Sequence, residues 1–332
     1  MSQLPHNHVP RLRSRPLHAR DLPECMSMLP PFLGLTKEMQ SALPTLWSRL
    51  VDETSVITGV MEDRALPAGQ RVQGWGASIL LPQGMVRELA LDTAPQPYVS
   101  RRIYAALLAG TLIPMTDRDI GVDNARGELI VMILHFSTRR AEVGDSYFHN
   151  VLTLANDAFR AFHDGYQLRA IYYQNSAAAE LIALSSGFEP RRMVETDQLN
   201  GLDPANRPAV YGLTRAEARQ RLPGTPARNC FEYQPPRFRF NATQRRLLWH
   251  ALFDESDDTL LPLLAVSTHG LKKLWRGIYE RVESVAPDFF GEATGDEDGK
   301  RGPEKRRQVL AYVRQRVEEL RPWVATADSQ RA

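Results

Sequence analysis

The sequence is poor in several features that would point directly to a class of protein. Cysteine occurs twice in 332 residues, as Cys25 and Cys230. Two cysteines so far apart give neither a zinc spacing such as C-x-x-C nor a disulfide framework beyond one bridge, so both are read as reduced thiols. The histidines, His6, His8, His18, His135, His149, His163, His250 and His269, show no metal spacing. The longest apolar run, residues 129–136, has the length of a strand and falls well short of the ~18 residues of a membrane helix. The start of the chain carries Pro5, Pro10, Arg11, Arg13 and Arg15 without an apolar stretch, unlike a secretory leader. A cytoplasmic protein with no membrane partner is expected. An excess of one charge is also missing. Lys and Arg number 41 against 39 Asp and Glu, a net +2, so the distribution of charge must decide whether nucleic acid is a partner. No Ser-His-Asp or G-x-S-x-G arrangement is visible. The acidic runs Asp257-Asp258 and Asp296-Glu297-Asp298 lack the spacing of a calcium loop and read as solvated.

What is present describes a globular chain. Hydrophobic residues make up 43% and charged residues 24%, and the length suits two domains. Residues 1–11 read as a disordered start. A strand is expected at 12–17 and a short helix after Asp21, ended by Pro30-Pro31. A second helix at 36–51 should be interrupted at Pro44. Strands follow at 56–60 and 72–81, and a helix at 98–109. Residues 128–136 (ELIVMILHF) suit a strand buried on both faces. Helix 146–164, strand 168–173, helix 177–185 and strands 188–194 and 209–214 complete an α/β domain over residues 12–215. The prolines and glycine of 216–239 mark a linker, and residues 240–324 show only helical periodicity. Residues 291–302 read as an acidic, glycine-rich loop. A final helix from Pro303 has Val309, Leu310, Val313, Val317 and Leu320 on its apolar face.

Within the C-terminal part, helices are expected at 243–253 and 259–264, separated by a polar turn at 254–257. A tight turn at Ala265-Val266 follows, with Ser267 as the cap of a third helix. Leu271, Trp275, Ile278 and Val282 form one stripe of that helix. Ser267, Thr268, His269, Lys272, Lys273 and Arg276 lie off it, where a recognition helix would meet base edges and phosphates. Lys300, Arg301, Lys305, Arg306, Arg307, Arg314, Arg316 and Arg321 supply a basic stripe nearby. Residues 240–282 resemble the helix-turn-helix of LuxR-type regulators. Phe240-Asn241 matches the start, Ser267 the capping serine, Leu271-Lys272 the Val-Lys pair and Ile278-Tyr279 the Ile-Tyr pair. Asp254, Gly270 and Pro262 depart from the pattern. The resemblance implies binding to double-stranded DNA, as a homodimer, through Ser267, Thr268, His269, Lys272, Lys273 and Arg276.

Residues 12–215 are similar to the GNAT N-acetyltransferase superfamily. The resemblance is carried by Arg15-Pro16 with Ala19-Arg20-Asp21-Leu22, by the buried strand 128–136, and by 175–188 ending in Gly187-Phe188-Glu189-Pro190. It implies a mixed sheet with splayed strands and an acyl-CoA pyrophosphate held at the loop after the fourth strand. Candidate acyl-CoA contacts there are Arg139, Arg140, Gly144 and Ser146. Ala141 replaces the loop's Gln or Arg, and Glu142 and Asp145 bring negative charge towards the pyrophosphate position. Ala183 stands where the family often has a tyrosine acid, and Tyr172 and Tyr173 are the substitutes at hand.

The expected architecture is therefore a GNAT-like α/β N-terminal domain plus an all-α C-terminal helix-turn-helix domain. The first functional reading is a transcriptional regulator whose N-terminal domain senses or binds without catalysis, with no obligatory cofactor and a small acyl molecule as candidate ligand. The alternative is an acyl-CoA-dependent N-acyltransferase whose helical tail recruits substrate. A third reading makes the tail a protein-docking module.

Overall fold

In the computed structural model, residues 9–140, 142, 144–199, 201–253, 255–291 and 301–325 are described. Asp254, Ala141, Lys300, the Asp296–Asp298 run and most of the acidic loop and the first residues fall outside them. The N-terminal part is one mixed sheet of seven strands: β1 (Leu12–Pro16), β2 (Val56–Asp63), β3 (Val72–Leu80), β4 (Leu129–Thr138), β5 (Leu168–Ser176), β6 (Glu189–Met193) and β7 (Pro208–Thr214). Their order across the sheet is β1-β2-β3-β4-β5-β7-β6. Only β4 and β5 pair in parallel. A mixed sheet with helices, as expected for residues 12–215, is what the chain forms.

Alternation along the strands sorts side chains to two faces. One face carries Val60, Trp75, Ile79, Met132 and Tyr172 and packs under α1 (Leu22–Met26), α2 (Lys37–Leu50), α3 (Gln83–Glu88) and α4 (Val99–Ala109). The other carries Ile57, Leu80, Val131, Ile133, Ile171 and Tyr173. It is covered by α5 (Asp117–Arg126), α6 (Ser146–His163) and α7 (Glu180–Ser185). At the edge, the Arg15 guanidinium is 2% exposed and donates to Asp21 at 2.6 and 2.9 Å and to Glu62 at 2.8 and 2.6 Å, fixing β1 to its neighbours. α2 runs through Pro44 without a break: Thr36 caps it by accepting the N–H of Met39, and its buried stripe of Leu43, Leu46, Trp47 and Leu50 outweighs one missing backbone bond.

The stretch from 216 to 239 is not a free linker. It holds the end of α8 (Arg215–Ala218) and α9 (Pro226–Asn229), and Phe238 is fully buried. The Glu319 carboxylate accepts the N–H groups of Arg237 at 2.7 Å and Phe238 at 2.9 Å. Beyond it come α10 (Ala242–Leu252), α11 (Asp257–Leu264), α12 (Thr268–Val285) and α13 (Arg301–Gln315), around Phe238, Phe240, Leu248, Leu271, Ile278 and Val313. Pro262 is accommodated inside α11. These helices sit directly on the sheet domain. Trp249 packs edge-on to Phe162 of α6 at 4.9 Å, Phe253 stacks on it at 5.3 Å, and Arg245 pairs with Asp117 at 2.5 Å. Arg321 donates to the Ala161 and Asp164 carbonyls at the end of α6 and lies over the Tyr166 ring. Gly165, at φ +82°, makes this close approach possible, since a Cβ there would stand 2.6 Å from the Glu318 nitrogen. Among the described residues no helix is long and apolar enough to cross a membrane.

Candidate functional site

The site begins with a parting of strands. β4 and β5 pair from Leu129 and Leu168 up to Ile133 and Tyr173. Beyond that point β4 stays with β3 as far as Thr138, while β5 stays with β7 as far as Ser176. A bulge at the same place, where Ala77 faces His135 and Ser78 faces Ile133, leaves Leu134 outside the register. The first turn of α4 fills the gap on one face. The Ser100 hydroxyl donates to the Leu134 carbonyl at 2.7 Å, and the Ser100 N–H donates to the buried Gln174 side chain of β5 at 2.8 Å. The divergence is thus held open by a polar wedge bonded to both strands.

On the opposite face, under α6 and α7, lies a cavity of about 290 Å³. Its walls are largely apolar, with Ile57, Met61, Ile133, Phe136, Phe159 and Phe162 prominent. Gly59 and Gly76 face each other across β2 and β3 and bring no side chain into it. A Cβ on Gly59 would stand 2.9 Å from the Phe162 ring, so glycine lets α6 approach the sheet here. Ile182 and Ser185 of α7, with Ser186 and Pro226, also line the cavity.

A few polar side chains enter this apolar space. His163, on α6, places Nδ1 2.8 Å from the Phe159 carbonyl and Nε2 2.9 Å from the Ser78 hydroxyl. A carbonyl only accepts, so Nδ1 carries the proton and Ser78 donates to Nε2. Burial pushes the His163 pKa down to about 4 and that of His135 to about 3, so both rings are neutral near pH 7. His135 does not turn its ring into this space: the ring packs edge-on against Trp75 at 4.4 Å, on the other face of the sheet, with Nδ1 3.4 Å from the Ser137 hydroxyl and no hydrogen-bond partner for Nε2 among the described residues. Tyr173 faces the cavity and accepts a hydrogen bond from the Asn175 side-chain amide, which leaves its own proton free to donate. Burial raises its pKa, keeping the phenol protonated. Tyr172 points to the other face and donates to Asp92 at 2.9 Å. Ala183, in α7, is buried. Sequence reasoning passed over His163 and Ser78 as cavity residues.

The loop proposed for the pyrophosphate joins β4 to α6. Arg139 is committed elsewhere: it donates to the Val72 carbonyl at 3.0 Å and to Glu24 at 3.2 Å. Arg140 lies 3.7 Å from Asp145, and Asp145 caps α6 by accepting the Tyr147 N–H at 2.9 Å. A carboxylate therefore holds the helix end that an anion would otherwise use. Gly144 and Ser146 are exposed beside it.

The residues expected to read DNA occupy the first turns of α12. Ser267 caps the helix by accepting the Gly270 N–H at 3.1 Å, and Thr268, His269, Lys272, Lys273 and Arg276 are exposed. Leu271, Trp275, Ile278 and Val282 are buried, as their spacing required. The neighbouring basic stripe is not an open charge field. Lys305 pairs with Glu283 at 2.6 Å, Arg306 with Asp257 at 2.7 Å, Arg307 with Glu304 at 2.8 Å, and Arg316 with Glu318. Arg314 and Arg321 donate to backbone carbonyls.

No protein-family model and no curated protein matches the sequence. Among solved structures, the chain is similar to FeeM, an N-acyl amino acid synthase from uncultured soil microbes, at 15% identity and a TM-score of 0.33, over 64% of this chain and 96% of that one. A variant of the spermidine N-acetyltransferase SpeG from Vibrio cholerae matches at 12% identity and 0.35, over 61% and 94%. Arabidopsis thaliana NAA60 in complex with acetyl-CoA matches at 12% identity and 0.35, over 61% and 98%. The expectation of a LuxR-type, DNA-binding transcriptional regulator is corrected here. Four cations of the supposed basic footprint, Lys305, Arg306, Arg307 and Arg316, are held in ion pairs with carboxylates that the sequence reading did not place beside them. Double-stranded DNA and a homodimeric partner likewise find no support.

Proposed function

We propose that the chain is an acyltransferase that seats the chain of an acyl thioester in the cavity at the β4–β5 divergence and passes the acyl group to an amine. The observation that carries this reading is the cavity: apolar walls suited to an alkyl chain, opening where two parallel strands part, with a short set of polar groups at the parting. The catalytic unit is residues 12–215, and the C-terminal helices buttress α6.

Each polar group has a role in that chemistry. The amine nitrogen attacks the thioester carbon, the C–S bond breaks, and the departing thiolate takes a proton from Tyr173. The amine's surplus proton passes to solvent. Ser78 and His163 hold the cavity floor in one arrangement through a fixed tautomer. Of the four candidate contacts for acyl-CoA, Gly144 and Ser146 are open to a phosphate group, whereas Arg139 would have to leave Glu24.

The test is thiol release from acyl-CoA thioesters of increasing chain length, with and without added amines. Release that requires the amine and improves with chain length supports the reading. No release from any thioester with any amine class, from a folded protein, removes it.

A further inference from the structure

Part of the cavity wall borders an unusual stretch of the surface. Among the described residues six large aliphatic side chains stand well exposed, and four of them belong to this flank. Leu181, Ile182 and Leu184 of α7 are 81%, 49% and 42% exposed, and Leu222 is 80% exposed. The Leu222 turn is tied to the end of α7. Its carbonyl accepts from Thr225, whose methyl group packs against Gly187, and the Ala227 N–H donates to the Ser186 carbonyl at 3.0 Å. Ile182, Ser186 and Pro226 are also walls of the cavity, so the exposed patch is continuous with the apolar interior. An apolar patch of this kind on a water-exposed surface marks a binding face.

Cations flank it. Arg219 and Arg221 directly precede Leu222 in the chain. Arg221 pairs with Glu189 and Arg228 with Glu232, whereas Arg219 has no carboxylate partner among the described residues. Arg215, Arg219 and Arg228 line a separate polar pocket of about 330 Å³, where the Glu232 carboxylate sits against Arg228 and leaves Arg215 and Arg219 as its uncompensated cations. Arg215 spends its donors on the Leu168, Gly127 and Gln167 carbonyls, which do not neutralise its charge. Arg215 and Arg219, four residues apart, repel one another unless an anion lies between them. Aliphatic side chains beside a seat for phosphate match the layering of a bilayer surface, acyl region below and headgroup phosphates above.

We propose that this flank docks on an anionic lipid bilayer, with Leu181, Ile182, Leu184 and Leu222 entering the acyl boundary and the Arg215–Arg219–Arg228 pocket taking a lipid phosphate. It departs from the expectation of no membrane partner, which rested on the lack of a spanning helix; a surface-seated protein needs none. It rests on the acyltransferase reading only for its purpose: an amphiphilic substrate or product would pass between bilayer and cavity without crossing water.

The experiment is vesicle flotation of the full chain with phosphatidylcholine alone and with phosphatidylcholine containing phosphatidylglycerol. Wild type is expected to float with the anionic vesicles, less with neutral ones, and less as salt rises. The combined change Leu181→Ser, Leu184→Ser and Leu222→Ser should cut the bound fraction about tenfold or more, and Arg219→Ala should remove most of the preference for anionic lipid. All four side chains are exposed, and an unchanged melting temperature confirms that the variants fold. Failure of wild type to float, or equal flotation of the triple variant, overturns the proposal. So does sedimentation showing that the patch pairs two copies of the chain, or its occupation by an acidic carrier protein in place of lipid. Flotation without acyl transfer leaves docking standing and removes the acyltransferase reading; transfer without flotation does the reverse.

Discussion

Tyr172 and Tyr173 are adjacent in the chain, yet alternation in β5 sends them to opposite faces. Tyr172 bonds Asp92, and Tyr173 faces the cavity. Tyr173→Phe should lower kcat by at least about 100-fold while leaving thioester binding within a factor of two or so, and Tyr172→Phe should spare kcat; steady-state kinetics of both variants decide it. Histidine burial has a second consequence. His135 and His163 have their folded pKa values lowered to about 3 and about 4, against about 6.5 in the unfolded chain. The unfolded state therefore takes up protons first as pH falls. The stability these rings allow is fully present above about pH 6.5 and is lost as pH falls towards 4, by up to about 1.4 kcal/mol per histidine per pH unit. Urea unfolding at pH 7, 6 and 5 reads this directly, and His163→Phe should flatten the slope. A pH-independent midpoint over that range would show that these rings are not buried neutral.

At the scale of elements, α6 serves both the site and the fold. Ala155, Phe159 and Phe162 line the cavity, and the same Phe162 ring receives Trp249 and Phe253 from the C-terminal helices. Trp249→Ala should cost about 2–3 kcal/mol and loosen the C-terminal helices, so that thermal unfolding separates into two steps. A single unshifted transition would mean the interface carries little. The elements with strong periodicity were legible beforehand: the doubly buried run of β4, the amphipathic α6 and α12, and the Ser267 cap all follow from spacing. α5 was not read, because its buried positions are Ile120, Gly121 and Asn124, which make no apolar stripe. Its ends did carry a signal in the Thr116–Asp119 capping box and in Gly127 at φ +70°. Pro44 and Pro262 were overweighted, since packing of the flanking turns compensates a single lost bond.

At the scale of the whole molecule, the cavity could not be read from local pattern, because its walls come from residues spread between Ile57 and Pro226. The same limit explains the misplaced emphasis on DNA. A stripe of cations is visible in sequence, but the carboxylates that neutralise it are not adjacent: Asp257 meets Arg306, and Glu283 meets Lys305, only in the folded chain. The polar wedge of Ser100 and Gln174, which links α4 to the two diverging strands, also joins residues far apart in sequence. What the chain does thus depends on a space assembled by the whole sheet domain and braced from outside by the C-terminal helices. The most direct test is calorimetric binding of a long-chain acyl-CoA to wild type and to Ala155→Phe, which places a ring in the cavity from α6. The account predicts saturable binding by wild type with a negative heat-capacity change, weakened about tenfold or more in the variant, while a short acyl-CoA binds the two alike. Equal affinity of wild type and variant for the long chain, or no binding by either, would contradict it.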